Sequence, residues 1–212
     1  MSSTKCIYII GPSSTGKTTL CRALAANLDL PRTAHVAEVA RTVMREQGFT
    51  RDDVGTFAMQ VAIFAAQLEQ ESLAKARRPP VLLFDRSAMD PIVYSGIGVS
   101  QEDKVKRRKD LIGRDGFNAT LEDYRQSLFV LLLPVEDWIF DDGVRSLEEP
   151  WNCAHHFKAV LKENAVEFKE LGGDVKGLQD RVNMVSKPSC IPSVPFVDSN
   201  HFLQVKKWAG LL

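Results

Sequence analysis

Short runs that are apolar throughout alternate with longer amphipathic segments along the first 185 residues of the chain. A run that is apolar on both faces is typical of a parallel strand covered by helices on two sides. We therefore predict strands at residues 5–10, 33–37, 81–84 and 127–133, with a weaker fifth strand at 174–178. The segments between them predict helices at residues 17–28, 40–47, 52–76, 152–171 and 179–185.

The longest predicted helix covers residues 52–76, and Asp52 or Asp53 can cap its start. Its apolar side chains share one face and recur at intervals of four, three and four residues: Phe57, Val61, Phe64 and Leu68. Such a stripe is the usual core face of a helix that covers a sheet. We prefer this interpretation to the alternative, a helix that binds a partner.

This order of elements, without a visible repeat, predicts an α/β fold with one parallel sheet and right-handed crossovers. We assign residues 1–185 to one domain, with an irregular polar insert at 96–126 and a loop at 134–150. Residues 186–212 contain three prolines and form a C-terminal tail that packs on the domain or on a partner. Loops at the carboxyl ends of parallel strands meet in one crevice, so polar residues that follow the strands should converge.

Composition excludes several classes of protein. Lys and Arg together number 27, as do Asp and Glu, and this zero net charge gives no reason to expect nucleic acid as a partner. No apolar run is long enough to cross a bilayer, and the N-terminus lacks the core of a signal peptide. The four cysteines have no zinc-ligand or C-x-x-C spacing. We expect a cytoplasmic protein without a transmembrane segment.

The turn between the first strand and the first helix carries the most specific motif. It reads Gly11-Pro12-Ser13-Ser14-Thr15-Gly16-Lys17-Thr18-Thr19, which has the form G-x-x-x-x-G-K-[ST] in the required strand–helix context. Glycines let backbone N–H groups surround phosphate oxygens, and the helix N-terminus adds partial positive charge. Lys17 can reach the β- and γ-phosphates, and the Thr18 hydroxyl can bind Mg²⁺. The nucleotide-phosphate site is predicted to comprise Gly11, Ser13, Ser14, Thr15, Gly16, Lys17, Thr18 and Thr19.

Asp85 and Arg86 follow the third apolar strand directly. A carboxylate at this position can hold a Mg²⁺-bound water or accept the proton of an acceptor hydroxyl. Arg86 can clamp a substrate or phosphate oxygen with two hydrogen bonds. The alternative is that Asp85 only caps a helix or pairs with Arg86.

Glu38 follows the second predicted strand and is the second candidate carboxylate. It can act as general base or bind the hydroxyl groups of an acceptor. A glutamate that simply stabilises a helix N-terminus remains the alternative. For Arg41, a solvated helix surface and a phosphate contact fit equally well.

Asp142 and Arg145 lie in an acidic loop after the fourth strand. Arg145 can close over the transferring phosphate as an arginine finger supplied in cis, and Asp142 can position it or bind substrate. The alternative is a charged surface turn.

A basic run occurs within the polar insert, at Lys104, Lys106, Arg107, Arg108 and Lys109. It has no interleaved aromatic residues that would stack on bases. A solvated helix face is the preferred interpretation, ahead of a site for a phosphate-bearing substrate or an anionic lipid headgroup. His155 and His156 have no partner at metal-ligand spacing and are assigned to a helix surface.

Three segments, residues 11–19, 36–41 and 134–145, resemble the NadR/TTD14-type AAA-domain family. Residues 171–175 and 178–182 are similar to the strand and helix that close the family's domain, where the loop lies beside the nucleotide base. Phe84-Asp85-Arg86-Ser87-Ala88-Met89-Asp90-Pro91 also resembles the segment of deoxynucleoside kinases that begins E-R-S, with aspartate in place of glutamate.

The resemblance implies a three-layer P-loop NTPase fold with a five-stranded parallel sheet, similar to nucleoside monophosphate kinases. It also implies dependence on ATP and Mg²⁺, with Thr18 and Asp85 on the metal side, Glu38 and Asp85 near the acceptor, and Arg145 on a lid. The chain departs from the family at residues 96–126 and 186–212, so the identity of the substrate does not transfer.

Two functions agree with these residues. The first is an ATP-dependent kinase that transfers the γ-phosphate to a hydroxyl of a nucleoside-like small molecule. The second is a switch or binding protein that responds to ATP or GTP and contacts an anionic partner or lipid, as the resemblance also implies for some family members. No N-K-x-D segment is present, so the sequence leaves the choice between ATP and GTP open. Likewise, it does not reveal the oligomeric state.

Overall fold

One parallel sheet forms the centre of the protein. The computed structural model describes residues 4–138 and 149–186, and within these ranges the strands lie in the order β2-β3-β1-β4-β5. The five strands are β1 (Lys5–Ile10), β2 (His35–Val36), β3 (Val81–Asp85), β4 (Leu128–Leu132) and β5 (Phe168–Leu171). Ile9 of β1 lies opposite Asp85 on one side and Val130 on the other. This register brings the ends of β1 and β3 together at the same edge of the sheet.

Helices cover both faces of the sheet. They are α1 (Lys17–Asn27), α2 (Ala40–Gln47), α3 (Phe57–Ala76), α4 (Met89–Tyr94), α5 (Gln101–Ile112), α6 (Phe117–Arg125), α7 (Glu149–Glu163) and α8 (Leu178–Val185). Tyr8 and its same-face neighbours pack with α3, α4, α6 and α7, whereas Ile7 and Ile9 pack with α1 and α8. The predicted three-layer α/β fold with five parallel strands is confirmed.

The long predicted helix is present but begins later than expected. It starts at Phe57, where the Thr56 hydroxyl accepts a hydrogen bond from the Met59 amide. Asp53 caps a separate 3₁₀ turn instead, since its carboxylate accepts the backbone N–H of Thr50 at 2.7 Å. The prediction that Asp52 or Asp53 caps the long helix is therefore wrong. The apolar stripe does face the core, with Phe64 fully buried in it.

Residues 96–126, predicted to be irregular, contain the two helices α5 and α6. Ser100 caps α5 by accepting the Asp103 amide at 3.1 Å. Leu111 is the buried residue of α5, so this helix carries almost no apolar periodicity for the sequence to reveal. Tyr124 and two other buried residues attach α6 to the core.

The last strand is also displaced from its predicted position. The helix predicted to run to residue 171 ends at Glu163, and Ala165 follows with a φ of 55°. Residues 168–171 instead form β5, where Phe168 pairs with Phe129 and Leu171 with Leu132. Pairing with β4 outweighs the helical spacing of the apolar residues in this segment, and residues 174–178 do not form a strand.

Smaller differences occur at element ends. The second strand is shortened to His35–Val36 because residues 32–34 form a 3₁₀ turn. In the described part of the chain, no helix is long and apolar enough to cross a membrane. The acidic loop residues Asp142 and Arg145, and residues 187–212 of the predicted tail, lie outside the described residues.

Candidate active site

The turn that joins β1 to α1 has a backbone that two glycines make possible. Gly11 has a φ of 137°, and a side chain there would place Cβ 2.5 Å from the carbonyl oxygen of Leu132. Gly16 has a φ of 83°, and its Cβ would lie 3.1 Å from the Trp138 ring. Ser13, Ser14 and Thr19 are exposed beside them. Because the two glycines have no side chains, the turn is tight and its backbone N–H groups are accessible to an anion.

Lys17, the first residue of α1, is buried at the base of this turn. Its ammonium group donates hydrogen bonds to the Pro12 carbonyl oxygen and, at 3.4 Å, to the Thr15 hydroxyl. Burial, followed by the charge of Arg86, lowers the pKa of Lys17 to about 7. An anion bound beside this buried lysine would favour its charged form and raise its pKa again.

Thr18 and Asp85 form a direct hydrogen bond at the base of the site. The Thr18 hydroxyl donates to Oδ2 of Asp85 at 2.6 Å. Asp85 ends β3 and is 2% exposed, and its Oδ1 has no hydrogen-bond partner among the described residues. Buried polar atoms are normally paired, so a free carboxylate oxygen beside a hydroxyl marks a place for a further ligand.

Mg²⁺ fits this pair of oxygen donors. The ion commonly binds through one or two protein oxygens while substrate phosphates and water complete its coordination. In residues 4–138 and 149–186, no group of three or more His, Cys, Asp or Glu side chains could hold a metal by itself. A divalent ion at Thr18 and Asp85 would therefore depend on a phosphate ligand.

Arg86 links two carboxylates beside the Thr18–Asp85 pair. Its Nε donates to Glu38 at 2.7 Å and its Nη1 donates to Asp90 at 3.2 Å. Burial disfavours the guanidinium charge, but Tyr94 and then Asp90 outweigh it and raise the pKa of Arg86 above its ordinary value. Arg86 is therefore a permanent positive charge in the crevice.

Glu38 remains ionised at neutral pH. Burial by itself would raise the pKa of Glu38, but Arg86 and then Arg41 hold it below its ordinary value. Arg41 donates to the second oxygen of Glu38 at 2.9 Å, and its own side chain is 83% exposed. That exposure agrees with the solvated helix surface considered for Arg41.

Two side chains of α4 reach the site without having been singled out as site residues in the sequence. Asp90 accepts hydrogen bonds from the Ser87 amide at 2.9 Å and from Arg86. The hydroxyl of Tyr94 lies 3.5 Å from the Ser13 hydroxyl. Their separation of four residues places both on one face of a helix, a signal that could have identified them.

Arg181 of α8 is the main residue that the sequence analysis missed. It is 2% exposed, and its Nη1 donates to the Thr15 carbonyl oxygen at 2.8 Å. Its guanidinium lies over the Trp138 ring at 4.5 Å, and its Nε donates to the Val175 carbonyl oxygen at 2.6 Å. Arg181 lies within residues 178–182, which resemble the helix that closes the family's domain, but 166 residues separate it from Thr15, so only the fold reveals the contact.

A cavity of about 410 Å³ opens between this arginine and the start of α1. It is lined by Ser14, Gly16, Thr19, Trp138, Lys176, Leu178 and Arg181. This volume lies within the usual range for small-ligand pockets. The cavity adjoins the phosphate-binding turn and combines apolar walls with donor groups.

The structure brings most of the predicted site residues together. The turn at residues 11–19 lies at the same edge of the sheet as Asp85, and Arg86 connects this edge to Glu38. The basic run is only partly solvated: Arg107 donates to the Ser95 carbonyl oxygen, and Arg108 lies 3.5 Å from Glu163.

Comparison with known proteins identifies the family. A family model described as an AAA domain matches residues 6–177, which is most of the chain. No curated protein matches the sequence significantly.

Several solved structures share the fold. NadR in complex with NAD and AMP-PNP matches with a TM-score of 0.65 and 18% identity over 91% of this chain and 52% of that chain. NadR in complex with NR matches with a TM-score of 0.61 and 24% identity, covering 82% and 46%. Deoxyadenosine kinase from M. mycoides with bound dATP matches with a TM-score of 0.60 and 16% identity, covering 85% and 96%.

At these identities the likeness establishes a shared P-loop fold of the nucleoside-kinase type. The chain spans about half of the length of the NadR structures that it matches. The family model and the structural likeness agree with the resemblance seen in the sequence, and the chain belongs to this NadR-like AAA-domain family.

Proposed function

We propose that the protein is an ATP-dependent small-molecule kinase that transfers the γ-phosphate to a hydroxyl of a nucleoside-like metabolite. The observation that carries this proposal is the convergence of the phosphate-binding turn with Thr18–Asp85 and Glu38–Arg86 in one crevice. Phosphoryl transfer needs charge neutralisation and an oriented acceptor more than covalent chemistry by the protein. The shared fold with NadR and deoxyadenosine kinase supports the same conclusion.

On the donor side, the turn and the N-terminus of α1 bind the phosphates, and Lys17 neutralises their charge. Thr18 and Asp85 would hold Mg²⁺, which supplies further charge neutralisation when it is bound. The neighbouring cavity takes the base and ribose, with Trp138 and Leu178 as apolar walls. ATP is the proposed donor, and GTP is the alternative.

On the acceptor side, Glu38 binds and orients the attacking hydroxyl. Its low pKa makes it a weak base, but a loose transition state for phosphoryl transfer places little demand on a strong one. Asp85 is already engaged with Thr18, which supports a metal-side role for Asp85 over that of a base. Arg86 faces the same crevice as a fixed cation, and Asp142 and Arg145 are proposed to complete it from the loop.

The test is ATP consumption by the purified protein with Mg²⁺ and a library of nucleosides and related hydroxyl compounds. We expect turnover that depends on one class of acceptor and is abolished by Lys17→Ala. Lys109→Ala, at an exposed position of α5, serves as the matched control and should retain full activity. Tight ATP binding without acceptor-stimulated turnover across the library would contradict the proposal and favour a nucleotide-dependent switch.

A further inference from the structure

A buried carboxylate lies behind the proposed active site. Glu71 of α3 is 1% exposed, and its two oxygens accept hydrogen bonds from Tyr124 at 2.7 Å, Tyr8 at 3.0 Å and Gln67 at 3.0 Å. Lys75 lies 3.7 Å from the same group. A carboxylate at this depth is costly unless its oxygens are well paired. The cluster thus joins α3, β1 and α6 at one point beneath the sheet.

Tyr124 connects this cluster to the site. While its hydroxyl donates to Glu71, it also accepts the backbone N–H of Ala88 at 2.8 Å. Ala88 is the residue before α4 and stands three positions after Asp85. Both hydrogen-bonding roles of the hydroxyl are used, and bonds in such a chain strengthen one another.

The turn that Tyr124 contacts contains strained backbone. Arg86 has a φ of 87°, in the left-handed region that side chains other than glycine rarely adopt. Such strain persists only where the surrounding structure enforces it. The Arg86 amide donates to the Ile9 carbonyl oxygen at 3.0 Å on one side, and the Ala88 amide donates to Tyr124 on the other. The turn is therefore fixed at the strained residue itself and two residues after it.

We propose that Tyr124, held in place by Glu71, is a positioning residue for phosphoryl transfer. It fixes the Ala88 amide, and thereby the turn that directs Asp85 toward Thr18 and Arg86 toward Glu38. This inference rests on the proposed function, but it concerns residues that touch neither nucleotide nor acceptor.

Tyr8 provides a matched control. It is fully buried and donates to the same carboxylate, so Tyr8→Phe and Tyr124→Phe each remove one hydroxyl from Glu71. In the described part of the chain, only the Tyr124 hydroxyl bonds to Ala88. A purely structural cluster predicts equal effects of the two variants, whereas a positioning role predicts different ones.

The experiment measures two quantities for the wild type and both variants. The first is kcat for acceptor-stimulated ATP turnover. The second is the gain in ATP affinity when Mg²⁺ replaces EDTA. This gain measures the proposed binding of Mg²⁺ by Thr18 and Asp85 and does not require turnover. Thermal melts establish that each variant is folded. The melting temperatures of Tyr8→Phe and Tyr124→Phe should fall by similar amounts.

We expect Tyr124→Phe to lower kcat at least tenfold and to reduce the Mg²⁺-dependent gain severalfold, with ATP affinity in EDTA unchanged. Tyr8→Phe should stay within twofold of the wild type in kcat, in the Mg²⁺-dependent gain and in ATP affinity in EDTA. Combining Tyr124→Phe with Asp85→Asn should lower kcat by less than the product of the two single effects, because Tyr124 acts in part through Asp85. Glu71→Gln weakens the hydrogen bond that holds the Tyr124 hydroxyl in place and should change kcat and the Mg²⁺-dependent gain in the same direction as Tyr124→Phe.

Wild-type values of kcat and of the Mg²⁺-dependent gain in Tyr124→Phe would overturn the inference, as would equal losses in Tyr8→Phe. If Tyr124→Phe does not fold, Glu71→Gln decides by the same two measurements. If the wild type shows no acceptor-stimulated turnover, only the proposed function is contradicted, and the Mg²⁺-dependent gain still tests the inference. A wild type whose ATP affinity does not respond to Mg²⁺ overturns both.

Discussion

At the scale of single residues, Lys17 shows how burial in the fold changes the protonation of a side chain at the proposed phosphate site. Its ammonium group is buried between the Pro12 carbonyl and the Thr15 hydroxyl, where burial lowers its pKa to about 7. A triphosphate nearby would favour the charged form and raise that pKa. Nucleotide binding and protonation of Lys17 are therefore linked.

This linkage predicts the pH dependence of ATP binding. Below about pH 7 Lys17 is already charged, so its protonation should leave the affinity unaffected. At higher pH, binding must take up a proton, and the affinity should fall by up to about tenfold per pH unit. Calorimetric titration of ATP from about pH 6 to 9 would measure both the affinity and the proton uptake. Lys17→Ala should lack the inflection near pH 7, and a wild type without it would contradict the lowered pKa.

Asp85 is the second residue whose role a single substitution can define. Asparagine retains the shape of the side chain and can accept the Thr18 hydroxyl, but it lacks the charge that attracts Mg²⁺. We expect Asp85→Asn to reduce kcat by about 10²-fold or more while ATP affinity in EDTA changes little. Asp110→Asn, at an exposed acid that pairs with Arg114, is the matched control. Loss of nucleotide affinity without loss of kcat would assign Asp85 a binding role instead.

At the scale of elements, α2 is attached to the rest of the domain by two different contacts. Val39 and Val43 pack against Met59 and Ile63 of α3 in a small cluster separate from the two main cores. The second contact is the ion pair of Glu38, just before α2, with Arg86 in the turn before α4. This pair therefore helps to hold the helix at the edge of the crevice.

The Glu38–Arg86 pair should make stability depend on acidity. The folded pKa of Glu38 lies below its ordinary value of 4.5, so its stabilisation is complete above that pH and is lost as pH falls through the folded pKa. Glu38→Gln should lower the free energy of unfolding by about 2 kcal/mol near neutral pH, from a charged hydrogen bond. Urea unfolding should be measured from neutral pH down through the folded pKa of Glu38. The difference in unfolding free energy between the wild type and Glu38→Gln should shrink as the pH falls.

The matched control for this measurement is Glu46→Gln, because Glu46 pairs with Arg45 at an exposed position. Exposed pairs contribute little, so this variant should resemble the wild type throughout. A difference between wild type and Glu38→Gln that grows as the pH falls would show that the sign of the Glu38 shift is wrong.

Trp138 contacts two elements at the proposed base pocket, since it stacks on Arg181 of α8 and lies beside Gly16, the residue before α1. Trp138→Ala should weaken ATP binding about tenfold or more, as expected for loss of a stacking contact. Inorganic tripolyphosphate, which has no base, should bind the variant as it binds the wild type. Trp151→Ala, at a more exposed tryptophan of α7, is the control. Equal losses for ATP and tripolyphosphate would show that Trp138 supports the phosphate turn instead.

At the scale of the whole molecule, local sequence patterns were enough to predict the layers and much of the site. β1 was predicted to the residue, because an apolar run followed by Gly11 has one plausible structure. Asp85 was predicted at the crevice because it ends an apolar strand, and the carboxyl ends of parallel strands share one edge. The helix α5 was missed because it buries so little apolar surface that no period is visible, whereas α6 was missed although Phe117, Leu121 and Tyr124 recur at helical spacing.

The alternation of apolar runs, the glycine-rich turn and the charged residues at strand ends are local properties, and they sufficed to predict the fold class and a candidate phosphate site. Three features depended on tertiary structure: the strand order that places β5 beside β4, the contact of Arg181 with Thr15, and the bond from Tyr124 to Ala88. In each case the hydrogen-bonding partners are distant in sequence and carry no shared pattern. Packing of α6 and α8 on the sheet brings Tyr124 within 2.8 Å of Ala88 and Arg181 within 2.8 Å of Thr15. The tertiary structure also places the predicted phosphate turn in one crevice with the Thr18–Asp85 and Glu38–Arg86 pairs, because these residues lie at the same edge of the sheet.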